Sequence, residues 1–191
     1  MNDILVFAAM DDLDAVTAVG ATPARRTSDL VAAIYDAHHG ELFSFALRTS
    51  RDREVAEDLV HESFLRLIVE VEAGREPDNT RAWLYRVIAN LAVSRGRRAT
   101  VAQRQLGALV ERGTASGPEP IFLEQERRTD LDAVLAELGT DARTALLMAT
   151  NGFNGTEIAE AIGRSGSATR TLMCRARLQL RERLSSTEAF A

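Results

Sequence analysis

The sequence predicts an all-α protein made of two small helical domains joined by a flexible linker, with a helix-turn-helix at the end of the second. Apolar residues recur at spacings of three and four, and no stretch alternates as a strand does. A turn-rich segment, GTASGPEP at residues 113–120, interrupts this periodicity. Residues 154–184 combine a helix-capping pattern, a glycine stop and an arginine-rich second helix.

The first 27 residues read as an acidic N-terminal extension, with four Asp before the first basic residue, Arg25. The apolar cluster at residues 4–10 fits either a short amphipathic helix, on a partner or on the protein itself, or a frayed tail. This cluster is too short to span a bilayer and no basic residue precedes it. We therefore expect no membrane insertion and a cytoplasmic protein.

Residues 28–98 are predicted to form a three-helix bundle. Ser28 is the expected N-cap of the first helix, and the loop at residues 72–79 separates the second helix from the third. The expected apolar stripes are, in the first helix, Val31, Tyr35, His38, Leu42 and Phe45; in the second, Ala56, Leu59, Val60, Ser63, Phe64, Leu67, Ile68 and Val71; in the third, Trp83, Leu84, Val87, Ile88 and Leu91.

Residues 99–127 are expected to be the linker, and residues 128–186 the helix-turn-helix domain. In the latter, helical periodicity breaks at Gly139, resumes after Thr140 and ends at the Asn151-Gly152 turn. Asn154 and Glu157 then form a capping-box pattern, and Gly163 is the expected end of that helix. The next helix carries five Arg, which is typical of a DNA-reading helix, although a helical hairpin with a solvated basic face would give the same pattern.

The net charge is −5 but unevenly distributed, since two segments are basic and the rest of the chain is acidic. Residues 81–110 contain six Arg and no acidic residue, and residues 163–184 contain six Arg and one Glu. This segregation indicates contact with nucleic acid at two places. The single cysteine, Cys174, excludes an intrachain disulfide and is expected to be an ordinary buried residue rather than a redox switch. The scattered His and Cys residues predict no metal site and no cofactor.

Three blocks of the sequence resemble the extracytoplasmic-function sigma factors, which are two-domain initiation factors of bacterial RNA polymerase. The blocks are AEDLVHESFLRL at residues 56–67, RAWLYRVIANLAV at residues 81–93, and GTEIAEAIG at residues 155–163 followed by RTLMCRARLQLRERL. They occur in the family's order and at its separations. The resemblance implies a sigma factor that binds core polymerase, directs it to promoters and assists strand opening.

The resemblance also implies roles for particular residues. Contact with the clamp helices of the largest polymerase subunit would involve Asp58, Glu62, Arg66 and the exposed part of Phe64. Binding and opening of the downstream (−10) element would involve Arg86, Asn90, Arg97 and Arg98, while Trp83 is expected in the core. Reading of the upstream (−35) element would involve Ser165, Ser167, Arg170, Thr171 and Arg175.

The sequence departs from the family pattern at several of these places. Ser94, Arg95 and Gly96 replace a common acidic-aromatic-aliphatic run, and Leu172 stands where a basic residue is frequent. Thr169 replaces a valine. These departures leave the fold prediction intact but leave the promoter sequence open.

The alternative function is a free-standing helix-turn-helix regulator that binds duplex DNA without polymerase. An enzyme is not expected, because no nucleophile–base pair or phosphate-binding glycine loop is present in the sequence. The family resemblance further implies an anti-sigma factor as a partner.

Overall fold

The structure, a computed structural model, describes residues 23–107 and 129–188, and all regular structure in these ranges is α-helical. The helices are α1 Pro23–Ser50, α2 Arg53–Glu72, α3 Thr80–Gly107, α4 Thr129–Glu137, α5 Thr140–Thr150, α6 Gly155–Ile162 and α7 Gly166–Glu188. Helices α1 to α3 form a first half and α4 to α7 a second half. Most of the predicted extension and of the predicted linker lies outside the described residues.

Two helix boundaries differ from the sequence prediction. Helix α1 begins at Pro23, so Ser28 lies inside the helix rather than at its N-cap. Proline suits the first helical position because its missing N–H has no intrahelical acceptor there. Helix α3 continues to Gly107, past the expected linker start at residue 99. The segment that follows Arg98, ATVAQRQLG, contains good helix formers such as Ala, Gln, Arg and Leu and no proline, so it can propagate the helix.

Helix α2 is buried along the face that its periodicity predicts. Asp52 caps its start by accepting a hydrogen bond from the Val55 N–H at 3.0 Å. Six of the eight predicted residues are buried, and Ile68 and Val71 are half-buried. The α2 stripe is confirmed.

Helix α3 is buried on a wider surface than predicted. Leu84 and Ile88 are fully buried as expected, whereas Trp83 remains half-buried. A second buried row was not predicted: Tyr85, Ala89, Ala92 and Val93. This row is covered because α5 and α6 pack against α3, on the side that the first bundle leaves free. The helix is therefore shared between the two halves.

An aromatic chain runs from the first half into the second. The ring centroid of Tyr85 lies 4.9 Å from that of Phe45 in α1 and 5.4 Å from that of Phe153, just before α6. The Tyr85 hydroxyl donates to Asn151 Oδ1 at 3.1 Å and approaches Glu41 Oε2 at 3.4 Å. Burial of this ring raises the pKa of Tyr85. The two halves consequently share one continuous hydrophobic core.

A buried arginine fastens the end of α1 to the second half. Arg143 is 5% exposed, and its Nε donates to Thr49 O at 3.0 Å. Its Nη1 donates to the carbonyls of Leu138 and Ala136 at 3.2 and 3.4 Å. Burial, followed by the charge of nearby Arg51, lowers the pKa of Arg143 to about 10. Backbone carbonyls, rather than a carboxylate, thus solvate this cation.

The helix-turn-helix has the local geometry that the sequence predicts. Asn154 Oδ1 accepts from the N–H groups of Thr156 and Glu157 at 2.9 and 3.1 Å, and Glu157 Oε2 accepts from the Asn154 N–H at 2.8 Å. Gly163 ends α6 in the left-handed conformation with φ of 62°. The capping box and the glycine stop are confirmed, and they set the angle at which α7 leaves α6.

Replacement of the cap should destabilise the second half measurably. Asn154→Ala removes the acceptor of two N–H groups and should lower the free energy of unfolding by about 1 kcal/mol. Urea denaturation followed by circular dichroism measures this change. Thr156→Ala is the control, since only the backbone N–H of Thr156 takes part in the cap. An equal effect of the two substitutions would contradict the cap's role.

Candidate nucleic-acid and protein interfaces

The start of α7 presents the predicted upstream-element residues to solvent. Ser165, Ser167, Arg170, Thr171 and Arg175 are all exposed. The Ser165 hydroxyl accepts the N–H of Ala168 at 3.3 Å and therefore caps α7. The opposite face of the helix is anchored by three buried residues: Thr169, Met173 and Ala176. The helix is thus held by one face and free along the other, as a groove-reading helix requires.

The free face of α7 is positively charged. Arg170, Arg175, Arg177 and Arg181 are exposed, and no acidic residue precedes Glu182 in the helix. Arg183 is paired with Glu137 of α4 at 2.9 Å. Arg164, just before α7, is held by Asp141, with its Nη2 and Nε at 2.6 and 2.8 Å from Oδ2. The available charge therefore comes from the α7 arginines rather than from Arg164 or Arg183.

Cys174 is exposed, so its predicted burial was wrong. It follows Arg170 by four residues and Thr171 by three, which places all three on one helix face. That same spacing was visible in the sequence and could have indicated its position. The thiol thus lies among the residues expected to face DNA.

The predicted strand-opening residues on α3 occupy different environments. Asn90 is exposed and Arg86 is half-buried. Arg97 faces the second half, where its Nη2 donates to Ile162 O at 2.6 Å and to Asp141 Oδ2 at 3.0 Å. Arg98 lies on the side of α2, and its Nε donates to Ser94 O at 3.3 Å. The spacings of four and seven nevertheless place Arg86, Asn90 and Arg97 on one face of α3, with Arg98 to the side.

The acidic face of α2 is exposed, with one exception among the predicted contact residues. Asp58 lies 3.4 Å from Arg95 Nη1, and Glu62 pairs with Arg66 at 2.8 Å. Phe64 is only 6% exposed, and its ring centroid lies 5.0 Å from that of Tyr35. Its predicted role as a contact residue needs correction, since the side chain is used in packing α1 against α2.

An apolar groove between α2 and α3 was missed in the sequence. Leu65 and Val69 are 44% and 58% exposed, and they line the groove together with Trp83 and Val87. Glu62, Arg66 and Glu70 form its polar edge. Leu65 and Val69 are four residues apart and lie off the buried stripe, a spacing that marks a second apolar face. This groove supplies the exposed apolar surface that Phe64 does not.

Two further ion pairs, Arg81 with Glu41 and Arg75 with Glu70, lie near these surfaces. Arg81 binds Glu41 of α1 through two hydrogen bonds, at 2.9 and 2.8 Å, which lower the pKa of Glu41. Arg75 likewise donates to Glu70 at 2.8 and 3.2 Å and lowers the pKa of that carboxyl. Arg81 therefore positions α3 against α1.

Family models match both halves. The model for sigma-70 region 2 matches residues 34–101, and the model for sigma-70 region 4 matches residues 128–180. The chain belongs to the extracytoplasmic-function group of the sigma-70 family. Region 2 thus contains most of α1 and all of α2, and region 4 contains the helix-turn-helix.

Curated relatives agree with this membership. The sigma factor SigL of Mycobacterium tuberculosis is 32% identical over 120 residues, which cover 61% of this chain and 67% of that protein. SigE of Mycolicibacterium smegmatis is 29% identical over 151 residues, covering 77% of this chain and 58% of the relative. The match therefore spans little more than half of SigE.

A solved structure shares the fold. The sigma factor RpoE of Bartonella quintana, crystallised with the anti-sigma factor NepR, superposes with a TM-score of 0.58 at 22% identity. The superposition covers 81% of this chain and 96% of that one. Within residues 23–107 and 129–188, no helix is long and apolar enough to cross a membrane.

The exposure of Cys174 gives a direct test of how α7 is oriented. We expect the thiol of the native protein to react stoichiometrically with a thiol reagent such as DTNB, at a rate close to that of the urea-unfolded chain. Absorbance of the released thiolate measures both rates. If the thiol reacts only after the chain has been unfolded, α7 is rotated so that this face is buried.

Proposed function

We propose that this chain is an RNA polymerase sigma factor, which binds core polymerase, directs it to particular promoters and assists strand opening. One observation carries this proposal: the chain joins a basic helix-turn-helix to a separate α2 face that is acidic and apolar. The basic surface suits the phosphates of DNA. The acidic and apolar surface is unsuited to DNA and suits a protein partner.

The recognition helix would read the upstream element through its first turns. Arg170 and Arg175 carry guanidinium groups that can bind guanine edges or phosphates in two-point fashion. Ser165 and Ser167 stand at the helix start, where main-chain N–H groups also favour a phosphate. The buried inner face of α7 keeps this set rigid, which supports specific rather than loose binding.

Strand opening would depend on the free face of α3. Asn90 is exposed there and can donate to and accept from an unpaired base. Arg86 and Arg98 would hold the backbone of the separated strand. Arg97 could join them only after leaving Asp141.

Polymerase binding would use the α2 face and the groove beside it. Leu65 and Val69 supply apolar area at the centre, and Glu62, Arg66 and Asp58 supply a charged rim. Such a division, an apolar centre with a polar rim, is typical of protein interfaces. Leu65 and Val69 replace Phe64 in this assignment.

The remaining parts of the proposal follow from the family. The chain would perform no chemistry itself, since the polymerase supplies the catalytic site, and it would act in the cytoplasm. An anti-sigma factor would hold it inactive until a signal arrives.

Transcription in vitro tests the function as a whole. Core polymerase mixed with the purified chain should co-elute with it and initiate at promoters that core alone ignores. Run-off transcripts from a fragmented genomic library would identify those promoters. Tight duplex binding by the chain alone, with no change in polymerase specificity, would instead favour a free-standing regulator.

A matched pair of valines tests the groove. Val69→Asp places a charge in the proposed apolar centre and should weaken core binding at least tenfold, as loss of a central contact does at other interfaces. Val101→Asp makes the same change at a comparably exposed position of α3, 52% against 58%, and should leave affinity unchanged. Fluorescence anisotropy of the labelled chain with core polymerase measures both. Equal losses would remove the groove from the interface.

Arg170 tests upstream reading. Arg170→Ala should lower holoenzyme affinity for the promoter by roughly five- to 150-fold, the range for one lost base contact. The control is Arg181→Ala, since Arg181 is an exposed arginine of α7 beyond the recognition turns. Filter binding of the holoenzyme to promoters with and without the upstream element distinguishes the effects of the two substitutions. If the loss persists on promoters that lack this element, Arg170 does not read it.

A further inference from the structure

The apolar groove between α2 and α3 has a matching segment within the chain itself. We propose that the apolar segment at residues 4–10 docks in this groove when the chain is free, and that it must leave before a protein partner can bind there. The docking stands independently. The identity of the displaced partner, core polymerase, rests on the proposed function.

The groove is an exposed apolar surface that accepts inserted side chains. Leu65 and Val69 are exposed, and the Trp83 ring is half-buried. The groove has a volume of about 420 Å³, within the range of roughly 300–1,000 Å³ that is usual for ligand pockets. Five large hydrophobic residues are exposed in the described ranges, and only Leu65 and Val69 lie on the same helix; the others are Tyr35, Val101 and Leu178.

The segment at residues 4–10, ILVFAAM, has the complementary composition. It contains no charged or polar side chain, and Ile4, Leu5, Val6, Phe7 and Met10 are large and apolar. Contact of such side chains with water is unfavourable in proportion to their apolar area. The groove offers a surface on which this area can be buried.

The chain between the segment and α1 is long enough to reach the groove. Residues 11–22 can span up to about 40 Å, whereas α1 rises only about 18 Å from Pro23 to Tyr35. The ring centroids of Tyr35 and Phe64 are 5.0 Å apart, and Phe64 directly precedes Leu65. Docking therefore requires no movement of α1 or α2.

A short connection also makes weak docking sufficient. It gives the segment an effective concentration on the order of 1 mM at the groove. A contact with an intrinsic Kd of about 0.3 mM would then occupy the groove in about three-quarters of the molecules.

The charges around the groove accept the acidic flanks of the segment. The rim carboxylates are already paired, Glu62 with Arg66 and Glu70 with Arg75, each at 2.8 Å. Arg86 directly precedes Val87 of the groove and has no acidic partner within the described ranges. It can therefore pair with a carboxylate beside the segment. The flanking acids are Asp3, Asp11, Asp12 and Asp14.

A second copy of the chain fits the groove less well. Seven residues line it, whereas a stable protein interface takes roughly 20–30 residues from each side. A larger two-fold contact around the groove would bring two acidic α2 faces together, with Glu54, Glu57 and Asp58 on each. Such like charges oppose association.

Fluorescence of the full chain tests the docking without polymerase. Trp83 is the single tryptophan, so its emission reports on the groove alone. Val6→Asp should release the segment, shift the emission to longer wavelength and increase quenching by acrylamide. Val19→Asp is the matched control, since it makes the same change between the segment and α1 and should leave both readings unchanged. Equal readings for the parent chain and Val6→Asp would overturn the docking.

A photocrosslinker identifies the occupant. p-Benzoylphenylalanine in place of Phe7 should crosslink within one chain to residues 62–70 or 83–87, at a yield independent of protein concentration. Peptide mass spectrometry locates the crosslink. Crosslinked dimers whose yield rises with concentration, crosslinks to other helices, or a Trp83 response to Phe122→Asp in place of Val6→Asp would each overturn the proposal.

Core-polymerase affinity then tests the competition. With the groove occupied in about three-quarters of the molecules, Val6→Asp should raise apparent affinity about fourfold, because affinity scales with the competent fraction. The loss caused by Val69→Asp should be about fourfold larger in the Val6→Asp background than in the parent chain, since Val69→Asp by itself also releases the segment.

The outcomes separate the two parts of the proposal. Unchanged affinity in Val6→Asp, with Trp83 uncovered, would overturn the competition with polymerase. Absence of core binding in every variant, with fluorescence and crosslinks as expected, would refute the sigma-factor function and leave the docking intact.

Discussion

Burial of α3 from two sides is the constraint on which the rest of the structure depends. One face, with Leu84 and Ile88, completes the bundle of α1 and α2, and the adjacent face, with Tyr85 and Ala89, receives α5 and α6. Because both halves pack on the same helix, α3, the helix-turn-helix is positioned by region 2 as well as by its own core. The remaining face of α3 keeps Asn90 accessible.

The parts of the fold that were predictable are those determined locally. A capping box is satisfied within four residues, and the α2 stripe repeats within one helix, so both are visible in the sequence and both are confirmed. The second buried row of α3 depends on α5, α6 and Phe153, which are distant in the chain. Alanine and tyrosine are also weak indicators of burial, because both occur on surfaces as well as in cores. Sequence periodicity could not reveal a face covered by a remote partner.

Sequence reasoning predicted the exposure of the α7 residues but not the exposed apolar surface beside α2. The α7 residues are exposed because Thr169, Met173 and Ala176 anchor the opposite face, and helical spacing predicts both. Phe64 belongs to the apolar stripe of α2 and is buried against Tyr35, whereas Leu65 lies off that stripe and is exposed, so the periodicity that predicted the core also argued against Phe64 as a contact residue. Helical spacing could not reveal that Arg97 is paired, since its partner Asp141 lies in the other half.

The junction between the two halves combines apolar and polar contacts. An interface made only of large apolar side chains would expose all of them on opening, which is unfavourable in proportion to the apolar area. Here much of the contact is polar: Arg97, Arg143 and Asn151 bind partners that water can replace. For Arg143, three carbonyl acceptors offset part of the desolvation of the buried guanidinium. Apolar contact between Tyr85 and Phe153 thus stabilises the junction, whereas its hydrogen-bonded groups, which would be left unsatisfied in another register, determine how the two halves meet.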